Sequence, residues 1–350
     1  MTARRPYLAA LAAAALLLSG CWDQRDISER TPALGMGFDR DQKGWQVTVS
    51  EVRYLSGSQP PYIGTVFIGR GRTISETLDD VRTRVGRELY VGDVKVYVLG
   101  PGALREGLFE VIDALRHNEE VDRTAFLIGS TTPPGAFLTG TSATGPTAVR
   151  LLKQFEAHTD LRDGFSEEPL WQAIRDVASP GETIQVPLFE QTGGGAVQSR
   201  GTALVGPDDH LRIELGKVPS AALRWLMNLR SREVIRLPDG QEVRLADVRT
   251  KVSFPSSGRT VVRVALSVEG HRLASSAVTE GEQRVLAQET SERALAAIQD
   301  LLHTLKQAGA EVPGWRESAV EAGHPEWRLR TSEFAVQVQT KVAPYTTPGF

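Results

Sequence analysis

Cys21 is the side chain whose surroundings ask for covalent chemistry. It is the single cysteine of the chain, and it follows Leu18-Ser19-Gly20 at the end of an apolar run from Tyr7 to Leu18 preceded by Arg4 and Arg5. A basic end, a short apolar stretch and small residues make the pattern of an export signal. A helix over that stretch is about 18 Å long against a hydrocarbon core of about 30 Å, so it is too short to remain as a span. Residues 1–20 are expected to be removed. Leu18-Ser19-Gly20-Cys21 reads as a lipobox: a diacylglyceryl group alkylates the thiol, the peptide is cut before Cys21, and two acyl chains hold stably where one binds marginally. The alternative is an ordinary signal with a chance cysteine, but cleavage has no use for a thiol. A lone thiol also excludes an intrachain disulfide and a Cys-rich metal centre.

Other chemistry finds no support in spacing. The chain has no Gly-x-Ser-x-Gly elbow, phosphate-binding Walker loop, His-Glu-x-x-His or Gly-x-Gly-x-x-Gly. Its histidines stand at 117, 158, 210, 271, 303 and 324, too far apart for a local ligand pair, and read as surface or cap residues. Gly193-Gly194-Gly195 lacks the Lys and Ser/Thr of a phosphate loop and reads as a linker. Asp39, Asp41 and Gly44 imitate the start of a calcium loop, but Lys43 and Ser50 occupy positions that need oxygen ligands, so a polar turn suffices. No catalytic residue, metal or cofactor is expected.

The elements that would position such residues alternate. Trp45, Val47 and Val49 alternate with polar residues after the turn at Asp39–Gly44, which predicts a hairpin with one buried face. Thr73-Ile74-Ser75-Glu76 is a capping box, followed by Ile74, Leu78, Val81 and Val85 on one buried stripe. A strand over Val94–Leu99, a helix through Leu104, Leu108, Ile112 and Leu115, and a strand over Thr124–Ile128 complete a first α/β unit. From Thr131 to Gly195 the chain is rich in turn residues around short helices near Thr147–His158 and Glu168–Val177. A hairpin over Thr202–Leu215 and a helix over Pro219–Leu229 follow. The C-terminal unit is expected to contain a hairpin turning at Pro238-Asp239-Gly240, strands near Arg249–Phe254 and Thr260–Val268, a helix over Gly281–Ala308 and a strand over Glu333–Val342. That long helix would bury Val285, Leu295, Ala296, Ile298, Leu302 and Leu305, its charged run Glu280–Arg293 being a solvated face or, less expectedly, a partner surface. The fold class is α+β and multi-domain, mixed β-sheets packed with helices behind a lipoprotein signal peptide. Its divisions are 1–20, the signal; 21–132, an α/β domain; 133–230, a loop-rich middle; and 231–350, an α/β domain with a long helix.

With 350 residues, 41% of them apolar, the chain can bury a sizeable core, and its net charge of −3 excludes the strongly basic footprint of a nucleic-acid binder. No other segment is apolar over the length a membrane helix needs.

Four segments carry a resemblance. Cys21-Trp22-Asp23-Gln24-Arg25-Asp26-Ile27, Leu34-Gly35-Met36-Gly37-Phe38-Asp39, Thr73-Ile74-Ser75-Glu76-Thr77-Leu78 and Leu89-Tyr90-Val91-Gly92-Asp93-Val94-Lys95-Val96-Tyr97-Val98-Leu99-Gly100 resemble, in order and spacing, the Ger(x)C family. These are the lipoprotein C subunits of the nutrient germinant receptors of bacterial spores. The resemblance departs at Asp93, where members often carry His, and in a shorter segment between Trp315 and Glu333. It implies a protein anchored through Cys21 on the outer face of the spore inner membrane. It further implies that the protein works with integral membrane A and B subunits, without catalysis, nucleic acid or metal. Trp22, Asp23, Arg25, Gly35, Gly37, Asp39, Gly92, Lys95 and Gly100 are its signature positions, with assembly or structural roles. Trp22 could equally sit at the headgroup layer. The rival readings are a solute-binding lipoprotein of an importer, which would need two similar lobes, and an extracytoplasmic hydrolase, for which no nucleophile is visible.

Overall fold

The computed structural model describes residues 30–343 except 55, 58–61, 87, 143–144, 158–167, 193–195, 230–232, 238–241, 255–258 and 271–279. The expected signal and lipobox, Cys21, Trp22, Asp23 and Arg25, the Gly193–Gly195 linker and the Pro238–Gly240 turn therefore lie outside the described residues.

Three antiparallel strands open the fold, β1 (Arg30–Asp41), β2 (Gly44–Tyr54) and β3 (Tyr62–Gly71). The β1–β2 turn is the polar one foreseen, with Lys43 N–H donating to Asp41 Oδ1 at 2.7 Å. Helix α1 (Ile74–Val85) starts where the capping box places it. Thr73 Oγ1 accepts the Glu76 N–H at 3.1 Å, and Glu76 reaches back to the Arg72 N–H at 2.9 Å. Its buried stripe is Ile74, Thr77 and Val81; Leu78, expected on it, is half-buried and forms the wall of a groove instead.

After β4 (Glu88–Tyr90) and β5 (Val96–Leu99), the single helix expected through Leu104–Leu115 is two, α2 (Pro101–Arg105) and α3 (Leu108–Arg116). Gly107 breaks it with φ of 137°, a backbone that side chains avoid, and a Cβ there would stand 2.7 Å from the Trp45 ring. The restart is capped from far away: Asp209, in the β-turn of the later hairpin, accepts the Phe109 N–H at 3.0 Å.

Next come β6 (Phe126–Ser130), α4 (Pro134–Thr139), the two-residue strands β7 (Thr141–Ser142) and β8 (Gly145–Pro146), α5 (Thr147–Ala157) and α6 (Leu170–Ala178). The strands β9 (Ile184–Gln191), β10 (Val197–Val205) and β11 (Leu211–Gly216) then join the first sheet. Nine strands result, in the order β11-β10-β9-β6-β5-β1-β2-β3 with β4 beside β1. The contacts β1·β5, β5·β6 and β6·β9 are parallel. Helices cover both faces of this centre. Tyr97 and Leu99 of β5 belong to the core under α1 and α3, whereas Val96 and Val98 face α4 and α5. That double burial is why Val96–Leu99 is continuously apolar.

Helix α7 (Lys217–Leu226) bridges to a second sheet of β12 (Val234–Arg236), β13 (Glu242–Ser253), β14 (Thr260–Gly270) and β15 (Phe334–Ala343), backed by α8 (Glu280–Ala308), with α9 (Trp315–Glu321) before the last strand. α8 buries Thr290, Ala294, Ile298, Leu301, Leu302 and Leu305. Val285 and Ala296 are exposed and Leu295 half-buried, because the buried stripe runs a residue earlier than expected in the helix middle.

A carboxylate-rich joint ties the two sheets. Glu182 caps α9, its Oε2 accepting the Gly314 N–H at 3.0 Å and its Oε1 the Glu317 N–H at 2.8 Å. Glu311 Oε1 accepts the Leu329 N–H at 3.3 Å, and Asp176 pairs with Arg175 at 2.7 Å. Glu168 is buried with one oxygen held by Gln185 Nε2 at 3.1 Å and the other without a partner among the described residues. Burial raises the carboxyls of Glu168, Asp176, Glu182 and Glu311 above their ordinary values, and mutual repulsion adds to it. A carboxyl raised in the folded state gives stability that is complete below its unfolded value, about 4, and lost as pH rises through the folded one. Melting temperature is therefore expected to rise as pH falls from about 7 to about 5, until carboxylates with lowered values, Asp122 and Asp208 among them, begin to protonate. Glu168→Gln should flatten that slope; an unchanged slope would remove Glu168 from the account.

Candidate functional site

The signature glycines of β1 make a seat. Gly35 and Gly37 project to the same face of the sheet, where α4 and α5 lie against it. A Cβ on Gly37 would stand 2.2 Å from Pro134 Cβ, and one on Gly35 would meet Ala148 Cβ at 3.0 Å. Two residues on, Asp39 Oδ1 accepts the N–H of Gly102 at 2.8 Å and of Ala103 at 3.4 Å, so it caps α2 from the neighbouring strand. Gly100 gives it room: a Cβ there would fall 2.4 Å from Asp39 Cγ. Gly100 N–H in turn donates to the Phe38 carbonyl at 2.8 Å.

Lys95 stands at the other end of the same seam. Its N–H donates to the Leu34 carbonyl at 2.9 Å, and its ammonium meets Asp122 Oδ2 at 2.8 Å. Burial pushes the Asp122 carboxyl up, but the Lys95 ammonium and the Thr124 hydroxyl and N–H outweigh it and bring it to about 2. Gly92 lies apart from this line, against the Tyr90 ring, its would-be Cβ 2.4 Å from the phenol oxygen. Gly35, Gly37, Asp39, Lys95 and Gly100 are thus brought together along the β1–β5 seam, where each makes a joint of the fold.

On the opposite face of that seam an open groove of about 860 Å³ runs between α1 and α3. Arg82, Glu110, Asp113, His117, Glu119 and Glu120 line its rim and Leu78, Leu89 and Ala114 its wall. A small apolar crevice beneath it, lined by Met36, Phe38, Leu115 and Val121, ends at Tyr97. The Tyr97 hydroxyl is buried without a partner among the described residues, and burial together with the Asp122 charge keeps it neutral far above ordinary pH. Spacing in sequence could not show this groove, because its two walls come from different helices. Nor could it show that Pro134 is the residue seated on Gly37, although Pro133-Pro134-Gly135 carries a helix-start signal with Pro in the first turn.

Neither place assembles a nucleophile with a base, and no cluster of three or more His, Cys, Asp or Glu able to hold a metal is found among the described residues. The arrangement can hold elements together and present surface.

Comparison with known proteins agrees with the sequence resemblance. No curated protein matches the chain significantly. Among solved structures the fold is similar to one titled "Crystal Structure of the GerBC protein", with a TM-score of 0.53 and 13% identity, over 88% of this chain and 96% of that one. Residues 23–191, which contain the whole β1–β5 seam and its helices, match the spore germination protein N-terminal domain. This chain therefore carries a spore germination protein N-terminal domain over residues 23–191, within an α+β fold similar to that of the GerBC protein.

Proposed function

We propose that the chain is the C subunit of a spore nutrient germinant receptor, a non-catalytic lipoprotein held by a diacylglyceryl group on Cys21 at the outer face of the spore inner membrane. There it assembles with the integral A and B subunits. The observation that carries this reading is the match of residues 23–191 to the spore germination domain, with signature residues that build joints and not an active centre. No described helix is long and apolar enough to cross a membrane; the attachment proposed is the diacylglyceryl group on Cys21. A tether of that kind raises the effective concentration of the body near integral subunits, and weak contacts then suffice for assembly.

Cys21→Ala tests the anchor. Acyl labelling is expected to disappear and the protein to leave the membrane fraction on a high-salt wash, which screens charge-based attachment and leaves acyl anchoring intact, while circular dichroism of the body stays unchanged. Retention after that wash without label would overturn the anchor, and failure of the acylated chain to co-purify with A and B subunits would overturn the assembly.

A further inference from the structure

The second sheet has two unlike faces. Val262, Val264, Leu266 and Val268 of β14 are buried toward α8, and the strand registers carry the same alternation into β13 and β15. On the opposite face the registers set Lys251 beside Arg263 and Gln337, Arg249 beside Ala265 and Gln339, and Ser267 beside Lys341. Among the described residues nothing covers this face: Arg236, Arg244, Arg249, Lys251, Arg263 and Lys341 are exposed, and so is Ala265 at its centre. Its carboxylates are Glu242, Asp247 and Glu269. Glu242 pairs with Arg236 at 2.7 Å and Asp247 with Arg249 at 3.1 Å. Arg244, Lys251, Arg263 and Lys341 have no carboxylate at ion-pair distance among the described residues.

Six cations against three carboxylates on one open face run counter to a chain whose net charge is −3. We propose that this face rests on an anionic lipid surface. The cations are spread over four strands, five of them on the long strands β13, β14 and β15, and among the described residues the face presents no aromatic side chain. A protein interface is centred on aromatic anchors seated in packed pockets, and the described residues of this face supply none. A headgroup layer of diffuse negative charge demands only sign and an open surface, and each cation near it strengthens attachment about fivefold.

The test uses the chain carrying Cys21→Ser and lacking residues 1–20, which removes no residue of the described cores. Without an acyl chain, vesicle binding reports the face alone, whereas acyl labelling reports the anchor alone. Co-sedimentation is expected with vesicles of phosphatidylglycerol and phosphatidylcholine but not phosphatidylcholine alone, and it should fade as salt is raised. The quadruple variant Arg244→Gln, Lys251→Gln, Arg263→Gln, Lys341→Gln should weaken binding several-hundredfold at about fivefold each. A control with the same charge change elsewhere, Arg105→Gln, Arg123→Gln, Arg293→Gln, Arg330→Gln, should retain it. Should the quadruple variant melt early, the pair Arg244→Gln, Lys251→Gln carries the comparison, with a loss of about 25-fold. Equal losses in face and control variants, no binding to anionic vesicles, or capture by an acidic protein in place of vesicles would each overturn the proposal.

Discussion

Arg224→Met is expected to destabilise the fold by about 3–5 kcal/mol, because it leaves a carboxylate without its partner in the interior. Arg224, on α7, is among the largest fully buried side chains of the protein, with 1% of its side chain exposed, and it pairs with Glu233, 11% exposed, at the entry to β12. Burial lowers the guanidinium to about 10, which still leaves it charged at neutral pH. The two charges stand at the junction of the sheets, near Leu223, Trp225 and Leu226 of the second core. Removal of one partner leaves the desolvation of the other unopposed, whereas removal of both leaves an apolar surface. Arg224→Met with Glu233→Leu should therefore recover most of the loss. Urea denaturation of the single and double variants checks this; a single variant as stable as the parent would show that the pair is worth nothing to the fold.

Gly37→Ala is expected to cost about 3 kcal/mol or more, although alanine is ordinarily the better strand residue. The added Cβ would lie 2.2 Å from Pro134 Cβ, so α4 must lift from the sheet, and with it Phe137 and Leu138, both buried in the smaller core. Gly216→Ala is the matched control. Its Cβ would meet nothing within 4 Å and its φ is −71°, so a change within about 0.5 kcal/mol is expected. Hydrogen exchange distinguishes the mechanism: Gly37→Ala should expose the amides of α4 before those of α1. Equal stability of the two variants would mean that the seat on Gly37 is not tight.

Much of the local structure could be read from residues close together in the chain. The capping box at Thr73, the polar turn at Asp39–Gly44 and the long helix ending at Ala308 all rest on neighbours within a few positions. Local hydrogen bonds and periodicity need no partner from elsewhere, so such patterns survive in sequence alone. The signature positions were legible as well, but as residue types without reasons.

The reasons came from contacts between distant segments. Asp39 caps a helix 63 positions away and Asp209 one 100 positions away, so neither role leaves a local trace. The break at Gly107 is dictated by the Trp45 ring, and the alternation of β3 is blurred by Gly64 and Gly69, which accept Pro146 and Val81 at close range. The strands β9, β10 and β11 extend the first sheet across the turn-rich middle because β6 offered an unpaired parallel edge. Composition by itself excluded a basic protein, and that statement is true of the whole chain. Only strand register, placing Arg244, Lys251, Arg263 and Lys341 on one side of a sheet whose other side is filled by α8, concentrates positive charge on a single face. Net charge is a sum over residues, whereas a surface potential depends on which of them the fold sets side by side.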